Sequence, residues 1–501
     1  MSAVLGHHAN ERPAAIALTF QGRDTSYRAL ADQVSALAGL LSAEGIEWGQ
    51  RVAYLGKNSD RYFVLLYALA SFGAVLVPLN WRLATEEWQF LLNDAGVVRL
   101  YADEEFVGRA HDLAVSCSLP APTLIPEPVS GDIMPAPAIL PHDIVVQIYS
   151  SGTTGRPKGV MLTHRNLLAL RAPGYAAGLT WFPRETDCSL LLLPVAHIAG
   201  TAYAFFGIYG GGRIVIEREF DAGIALERME SQRVTHMLLA PAALQLVIEH
   251  ADCAWRNLAS FQYLTYGASP ISQTLMDRAF EALSCGFIQM YGMTEAAGGV
   301  VALTPDDHRS GTQARLRSAG RAMPGVEIAI AGRDGAHAGV DEIGEILVRS
   351  AAVMAGYWRQ PDATAETIDP NGWLRSGDIG RIDEEGYVFV LDRAKDMIIS
   401  GGENVYPAEV ENALADHPSV GDVAVFGIIS ERWGEVPAAA IVLRPGYALD
   451  PKSLQIWCAD KLARFKIPKQ YVALEALPRN AGNKVLKRQL RDLFPSLTGG
   501  A

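Results

Sequence analysis

Short apolar runs alternate with longer amphipathic stretches through the first 350 or so residues of the chain. "RVAYLG" precedes a helical pattern over 60–72, "RIVIE" precedes "AGIALERMESQ", and "THMLLAP" precedes "AALQLVIEHA". The runs have strand length and strand composition, and the stretches after them have helical periodicity. Strand then helix, repeated, predicts an α/β architecture: a large domain of layered, mostly parallel sheets with helices.

The texture changes from about residue 370. "GRIDEEGYVFVLDR" predicts two strands around an acidic glycine turn, and "AKDMIISGGENVYPAEVENALADHP" a strand, a glycine pair and a helix starting near Pro407. "GDVAVFGI", "VPAAAIVLRP", the helical "SLQIWCADKLARF" and "QYVALEALP" complete a small α+β domain of about 100 residues. The boundary is expected in "DRAKD", dividing the chain into 1–394 and 395–501.

Two uncharged stretches are long enough to raise the question of a membrane span. Within Tyr62–Leu79, Gly73 is a helix stop and "AVLVPL" a separate strand, while Ser59 and Asp60 just ahead are helix-cap types. Cys188–Gly212 is broken by Pro194, His197 and several glycines into a strand, a loop and a buried helix. Both predict soluble core and no transmembrane segment. The proline-rich segment 120–142 predicts a surface connector.

Composition adds limits. The chain has 501 residues, nearly half of them hydrophobic and a fifth charged, an ordinary globular balance with room for more than one domain. A net charge of -12 argues against a nucleic-acid partner. The five cysteines (Cys117, Cys188, Cys253, Cys285, Cys458) form no CxxC pair, which predicts neither a disulfide framework nor a zinc site and suits a reducing compartment. The first twenty residues include Glu11, Arg12 and Pro13 and lack an apolar run, so no signal peptide and a cytoplasmic location are expected.

Candidate chemistry concentrates in "YSSGTTGRPKGVMLTH", Tyr149 to His164. Glycines let backbone amides turn toward a ligand, and amides with hydroxyls and one lysine make a phosphate cradle. A Walker loop does not fit: Pro157 stands where its second glycine belongs, and Lys158 is followed by Gly159. "DIVVQIY" before and "GVMLT" after both read as strands, whereas a Walker loop opens into a helix.

"SSGTTGRPKG" is followed, in order, by "LPVAHIAG" (193–200), "YGASP" (266–270), "YGMTE" (291–295), "GWLRSGD" (372–378), "DRAKDMIISGGENVYPAEVE" (392–411) and "NAGNKVLK" (480–487). With these motifs the chain resembles the adenylate-forming, AMP-binding enzymes over essentially its whole length. That family includes acyl-CoA synthetases, aryl-CoA ligases, luciferases and peptide-synthetase adenylation domains. The resemblance implies a two-step reaction: a carboxylic acid and ATP give an acyl-adenylate and pyrophosphate, then a thiol displaces AMP.

Residue roles come from the same resemblance. Ser151, Thr153, Thr154 and Lys158 would hold the β- and γ-phosphates, Thr294 the α-phosphate, and Glu295 a Mg2+ ion, a hard cation that prefers oxygen. Tyr291 with Gly267, Ala268 and Ser269 would flank the adenine, and Asp378, with Arg393 beside it, would hold the ribose. Lys484 would stabilise charge in the transition state, although the family's usual Gly-Lys is here Asn483-Lys484. Lys395 matches a hinge about which the small domain rotates between the two steps. Gly401, Gly402 and Trp433 would line a tunnel for the pantetheine of coenzyme A, and Phe465 with Arg464, Lys466 and Lys469 would meet its nucleotide end.

His197 matches a position walling the carboxylate end of the acyl pocket. Ile198, Ala199, Tyr203, Phe205, Phe206, Ala296, Ala297 and Val300 make the surroundings apolar, and no aspartate stands ready for an α-amino group. Gly298 and Gly299 leave depth for a chain, so a medium- or long-chain fatty acid is expected. The alternative is an aryl-CoA ligase for a benzoate- or cinnamate-like acid. A luciferase-like oxidation of the adenylate is disfavoured by Trp433 and the glycine pair, and a non-catalytic nucleotide binder by Lys158, Glu295, Asp378 and Lys484 together. ATP, Mg2+, coenzyme A and a small carboxylic acid are the expected ligands; monomer and homodimer both stay open.

Overall fold

Ser59 accepts a hydrogen bond from the Tyr62 amide and starts the helix Asp60–Phe72, which Gly73 ends with a φ of 82°. The strand Val75–Leu79 comes next, so the uncharged stretch folds as a buried helix and a buried strand. The second stretch resolves in the same way, into the strand Cys188–Leu191, a loop and the helix Ile198–Tyr209. No helix among the described residues is long and apolar enough to cross a membrane. The computed structural model describes residues 1–126, 138–150, 156–269, 271–332, 336–393, 396–400, 403–479 and 485–493.

The described chain divides into two compact units. The first comprises Met1–Ser269, Phe280–Ile328 and Leu347–Arg375. One of its sheets has nine strands in the spatial order 321–322, 298–303, 286–293, 263–267, 236–239, 188–191, 213–216, 16–20 and 23–26. Its middle is parallel, and antiparallel hairpins close both edges. A six-stranded sheet runs 356–357, 158–163, 144–150, 75–79, 51–55 and 97–102, again parallel through its centre. Parallel strands need helical crossovers, which is why their sequences read as continuous apolar runs between amphipathic helices.

The second unit comprises Pro270–Ala279, Ala329–Ile346 and Ser376–Ala501. Ahead of residue 395 it includes most of an antiparallel hairpin, Leu374–Ile382 with Val388–Arg393, in which Asp378 stands opposite Arg393. Farther on, Val420–Ser430 and Gly434–Leu443 form a long antiparallel pair, flanked by Ile398–Ser400 and by the parallel strand Gln470–Leu474. The helix Pro407–Ala415 begins with its proline at the first turn, where the missing N–H costs nothing. Val410, Leu414, Val425 and Ile441 pack on one face of this sheet, and Phe426, Val436 and Leu490 on the other.

Two histidines are folded into the first unit in their neutral form. Burial pulls the pKa of His164 down to about 4, opposed by Asp143, and burial likewise pulls His236 down to about 4, opposed by Asp187. The unfolded chain therefore binds more protons than the folded one between about pH 6.5 and 4. The contribution of both groups is complete above pH 6.5 and is lost as pH falls through 4. Thermal unfolding measured against pH should show a midpoint dropping across this window, and His236→Gln should flatten the drop.

Candidate active site

The strands Ile144–Ser150 and Lys158–Thr163 pair antiparallel with Ser150 opposite Lys158. A Cβ on Gly159 would stand 2.6 Å from the Gln147 amide nitrogen, so a side chain there would displace Gln147. Lys158 is the first residue of the second strand. Ser151, Thr153 and Thr154 lie outside the described residues.

Across from this hairpin, the strand Gly286–Met293 runs into a single 3-10 turn, Thr294–Ala296. The turn is fixed by its backbone: the Glu295 carbonyl accepts from the Met354 amide at 2.8 Å. The Glu295 carboxylate is fixed by its side chain, since Oε1 accepts from the Ser150 hydroxyl at 2.9 Å and from the Tyr357 hydroxyl at 3.2 Å. The Lys158 ammonium stands 4.7 Å from the centroid of the same tyrosine ring, within cation–π range. Burial, with Glu295 adding to it, pushes the Tyr357 phenol well above its usual range, so it stays protonated and acts as a donor. Lys158 and Glu295 are thus brought together through Ser150 and Tyr357, two residues the sequence did not single out.

The remaining nucleotide candidates of this unit sit where two parallel strands end. Gly267 is in register with Met290, and a Cβ on it would strike the Met290 carbonyl. Ala268 comes next with a φ of 69°, and Tyr291 stands on the adjoining strand one residue past Met290. Gly267, Ala268, Ser269, Tyr291 and Thr294 therefore cluster at the carboxyl ends of the sheet, where open α/β sheets bind their ligands.

His197 caps the helix Ile198–Tyr209, behind a loop held by Asn58, whose amide takes the Val195 N–H and donates to the Leu193 carbonyl. The Asn80 Oδ1 accepts from the Arg82 amide, which turns its Nδ2 toward His197 Nε2 at 3.2 Å. Asn80 donates there, so Nε2 is the acceptor and the ring proton is assigned to Nδ1. Asn80 is a third residue the sequence reading missed; its only signal was a polar residue directly after a buried strand.

In the second unit, Asp378 is buried and its carboxylate meets Arg393 Nε at 2.7 Å, joining two residues paired from sequence alone. Trp433 lies in an exposed turn with the Arg432 guanidinium 4.8 Å from its ring centroid. Phe465 packs against the core around Ile398, Val410 and Leu414, and the Lys466 ammonium is held at 2.7 Å by both oxygens of Glu409. These two are engaged within the protein rather than presented as an open stacking face and an unpaired cation. Lys469 is exposed. Lys395, Gly401, Gly402 and Lys484 lie outside the described residues.

The family profile for AMP-binding enzymes matches residues 5–358, and that for the AMP-binding enzyme C-terminal domain matches residues 409–484. The chain belongs to the AMP-binding enzymes. Among relatives, it is 37% identical over 97% of its length to a fatty acid–[acyl-carrier-protein] ligase, ScoC, of Streptomyces coeruleorubidus, covering 95% of that protein. It is 37% identical to a feruloyl-CoA synthase of an Amycolatopsis species, with 96% of each chain covered. Its fold matches the o-succinylbenzoate-CoA synthetase of Bacillus subtilis, solved with ATP and magnesium ion, at a TM-score of 0.87 and 31% identity, covering 98% of this chain and 99% of that one. The AMP-binding enzyme is an acid–thiol ligase that works through an acyl-adenylate and uses ATP, Mg2+ and coenzyme A.

The residues present fit such a metal. Glu295 Oε1 is taken by two donors, which leaves Oε2 without a protein partner among the described residues. Among the described residues no cluster of three or more His, Cys, Asp or Glu side chains stands ready to hold an ion.

The glycines around this motif are not equivalent. A Cβ on Gly292 would run into the Gly298 carbonyl, a backbone contact that cannot yield. Gly298 has a φ of 118°, and a Cβ on it would stand 3.6 Å from the Ala202 Cβ of the helix Ile198–Tyr209. A Cβ on Gly299 would meet only the Met290 side chain, Cε first, the end of a flexible chain, so Met290 occupies the space expected to be open there. Gly292→Ala should cost stability at the upper end of the about 1–3 kcal/mol typical of overpacking. Gly299→Ala should cost far less. Denaturant unfolding of the two variants checks this.

Proposed function

We propose that this AMP-binding enzyme activates a medium- or long-chain fatty acid and transfers it to coenzyme A. The observation supporting the reaction is the arrangement of Lys158, Ser150, Tyr357 and Glu295: a cation and an anion held close together yet each with its ligand-facing atoms unspent. Lys158 with Ser151, Thr153 and Thr154 would bind the β- and γ-phosphates, and Thr294 the α-phosphate. Mg2+ at Glu295 would supply charge neutralisation for the phosphates. Asp378, oriented by Arg393, would accept hydrogen bonds from the ribose, while Gly267, Ala268, Ser269 and Tyr291 would enclose the adenine. Lys484 would stabilise the charge that develops as carboxylate oxygen replaces pyrophosphate.

His197 fits a wall at the carboxylate end better than a base, since its Nε2 is already occupied by Asn80. For the second step, rotation about Lys395 would exchange Lys484 for Gly401, Gly402 and Trp433, which would guide the pantetheine. The exposed Lys469 remains a candidate for the coenzyme A phosphates. Lys466 could serve there only by leaving Glu409, and Phe465 only by leaving the core.

The fatty-acid reading rests on the helix Ile198–Tyr209, uncharged and almost wholly buried beside the strand Gly298–Leu303. A second reading, an aromatic acid, draws support from Met290, which fills the room beside Gly299 and would shorten the pocket. Pyrophosphate release with a panel of saturated acids from C6 to C16, benzoate and cinnamate separates them; a kcat/KM rising with chain length supports the first reading and a maximum at the aryl acids overturns it.

The half-reactions can be separated as well. Lys484→Ala should lower adenylate formation by about 100-fold or more, and spare thioester formation from supplied acyl-adenylate. Glu295→Gln keeps an oxygen for Ser150 and Tyr357 but loses the charge. It should lower Mg2+-dependent pyrophosphate release by a similar factor with an unchanged unfolding midpoint. Equal loss of both half-reactions in Lys484→Ala would give that lysine a structural role instead.

A further inference from the structure

Arg171 stands beside the helix Ile198–Tyr209 and has no part in any role above. It opens the short helix Arg171–Ala176, which lies so close to Phe182 that a Cβ on Gly174 would overlap the ring. Its Nη2 donates to the Ala202 carbonyl at 3.0 Å, and its guanidinium carbon lies 4.8 Å from the centroid of the Phe206 ring. Burial pulls the guanidinium down to about 10, so the group is still charged at neutral pH. Its Nε is buried without a hydrogen-bond partner, and among the described residues no carboxylate pairs with this cation. Arginines withdrawn from water are ordinarily paired, so the missing counter-ion calls for a reason.

The helix beside Arg171 supplies one. Ala199, Ala202 and Phe206 recur at the spacing of a single helix face. The helix is otherwise almost wholly buried, yet Ala199 and Phe206 are only half-buried, as are Met290 and Gly298 on the neighbouring strands and Arg171 itself. A Cβ on Gly298 would stand 3.6 Å from that of Ala202, which sets this strand against the same face. Surface left open along one stripe of a buried helix marks the wall of a cavity. Arg171 meets that wall at Ala202 and Phe206, and all of these residues belong to the first unit.

A hydrocarbon tail ending here would cover a charged group and leave it unpaired, which is costly. A carboxylate would instead neutralise the cation and accept from the donors that Ala202 leaves unengaged, in the planar fork geometry that arginine offers. The helix also gives a length. His197, at the carboxylate end, precedes Ala202 by five residues and Phe206 by nine, so the guanidinium lies about 7 to 14 Å farther along the axis. An extended chain advances about 1.2 Å per bond, so an acid of about eight to ten carbons spans this distance.

We propose that Arg171 is a specificity-determining residue that anchors a second carboxylate at the far end of the acid, making a medium-chain dicarboxylic acid the preferred substrate. The proposal narrows the fatty-acid reading and rests on its placement of the acyl pocket along the helix Ile198–Tyr209.

The test measures acid-dependent pyrophosphate release by the full-length protein, Arg171→Met and Arg171→Lys, with folding read from the thermal midpoint. The acids are octanoate, suberate (the dicarboxylate of the same length), monomethyl suberate, cinnamate and 4-carboxycinnamate. Suberate should exceed octanoate in kcat/KM by at least about 30-fold. The monomethyl ester, which keeps the length and loses the charge, should fall to the level of octanoate. In Arg171→Met the ratio of suberate to octanoate should collapse to about 1, with octanoate itself improved. Arg171→Lys, charged but without the fork, should keep an intermediate ratio. Octanoate used as well as suberate by the unaltered protein, no turnover of either dicarboxylic acid, or a parallel loss for suberate and octanoate in Arg171→Met would overturn the proposal. If Arg171→Met does not fold, the acid-to-ester ratio of the unaltered protein and its change in Arg171→Lys decide by the same criteria. The carbon skeleton is read separately. If 4-carboxycinnamate exceeds both cinnamate and suberate, and loses that advantage over cinnamate in Arg171→Met, the fatty-acid reading fails and the anchor stands. If octanoate exceeds suberate and both aryl acids, the fatty-acid reading stands and the anchor fails.

Discussion

The hydrogen bond from Ser150 to Glu295 joins the two sheets' working ends: it connects the last residue of one hairpin strand to the carboxylate just past a strand of the other sheet. Each partner is placed by backbone before its side chain acts. Ser150 is held opposite Lys158 by strand pairing, and Glu295 is held by its carbonyl bond to Met354. Bonds to a charged acceptor are among the stronger ones in proteins, and here they act between elements that are already rigid. The arrangement of Lys158, Tyr357 and Glu295 depends on this contact, because without it the strand Ile144–Ser150 and the 3-10 turn would lose a direct side-chain reference to one another.

In the second unit, ion pairs do the linking. Asp378 with Arg393, Glu409 with Lys466 and Glu411 with Lys487 each tie segments that are separated in sequence. Ion pairs as accessible to solvent as these contribute little net stability compared with apolar packing. Such pairs serve better to fix geometry than to hold a fold together. The fold is held by the two apolar faces of the sheet, around Val425 and Ile441 on one side and Phe426 and Val436 on the other.

Much of this is legible in the sequence alone, and the part that is not has a consistent cause. Helix and strand limits are written locally: Ser59, Gly73 and Pro407 each act on backbone within a few residues of themselves. Lys158, Glu295 and the Asp378–Arg393 pair are legible because they sit in dense motifs. Tyr357 is not, since it meets Glu295 from sixty-two residues away and nothing in "AGYW" announces a partner. Phe465 and Lys466 look available because their sequence neighbours are cations; the carboxylate that takes Lys466 is fifty-seven residues distant. The expectation of open space beside Gly299 fails for the same reason, as Met290 comes from the adjacent strand.

Gly292 and Gly299, paired across these two strands, have different freedom to change through evolution. Gly292 abuts the backbone of Gly298, so drift there would disturb the turn that carries Glu295. Gly299 abuts a methionine, an unbranched side chain that can be exchanged or can re-pack without moving the main chain. Variation can accumulate at one position while the other stays fixed. A scaffold divided in this way can diverge in the acids it accepts without losing adenylation, and it offers a physical route by which relatives sharing about a third of their residues could come to be named for fatty, feruloyl and succinylbenzoyl substrates.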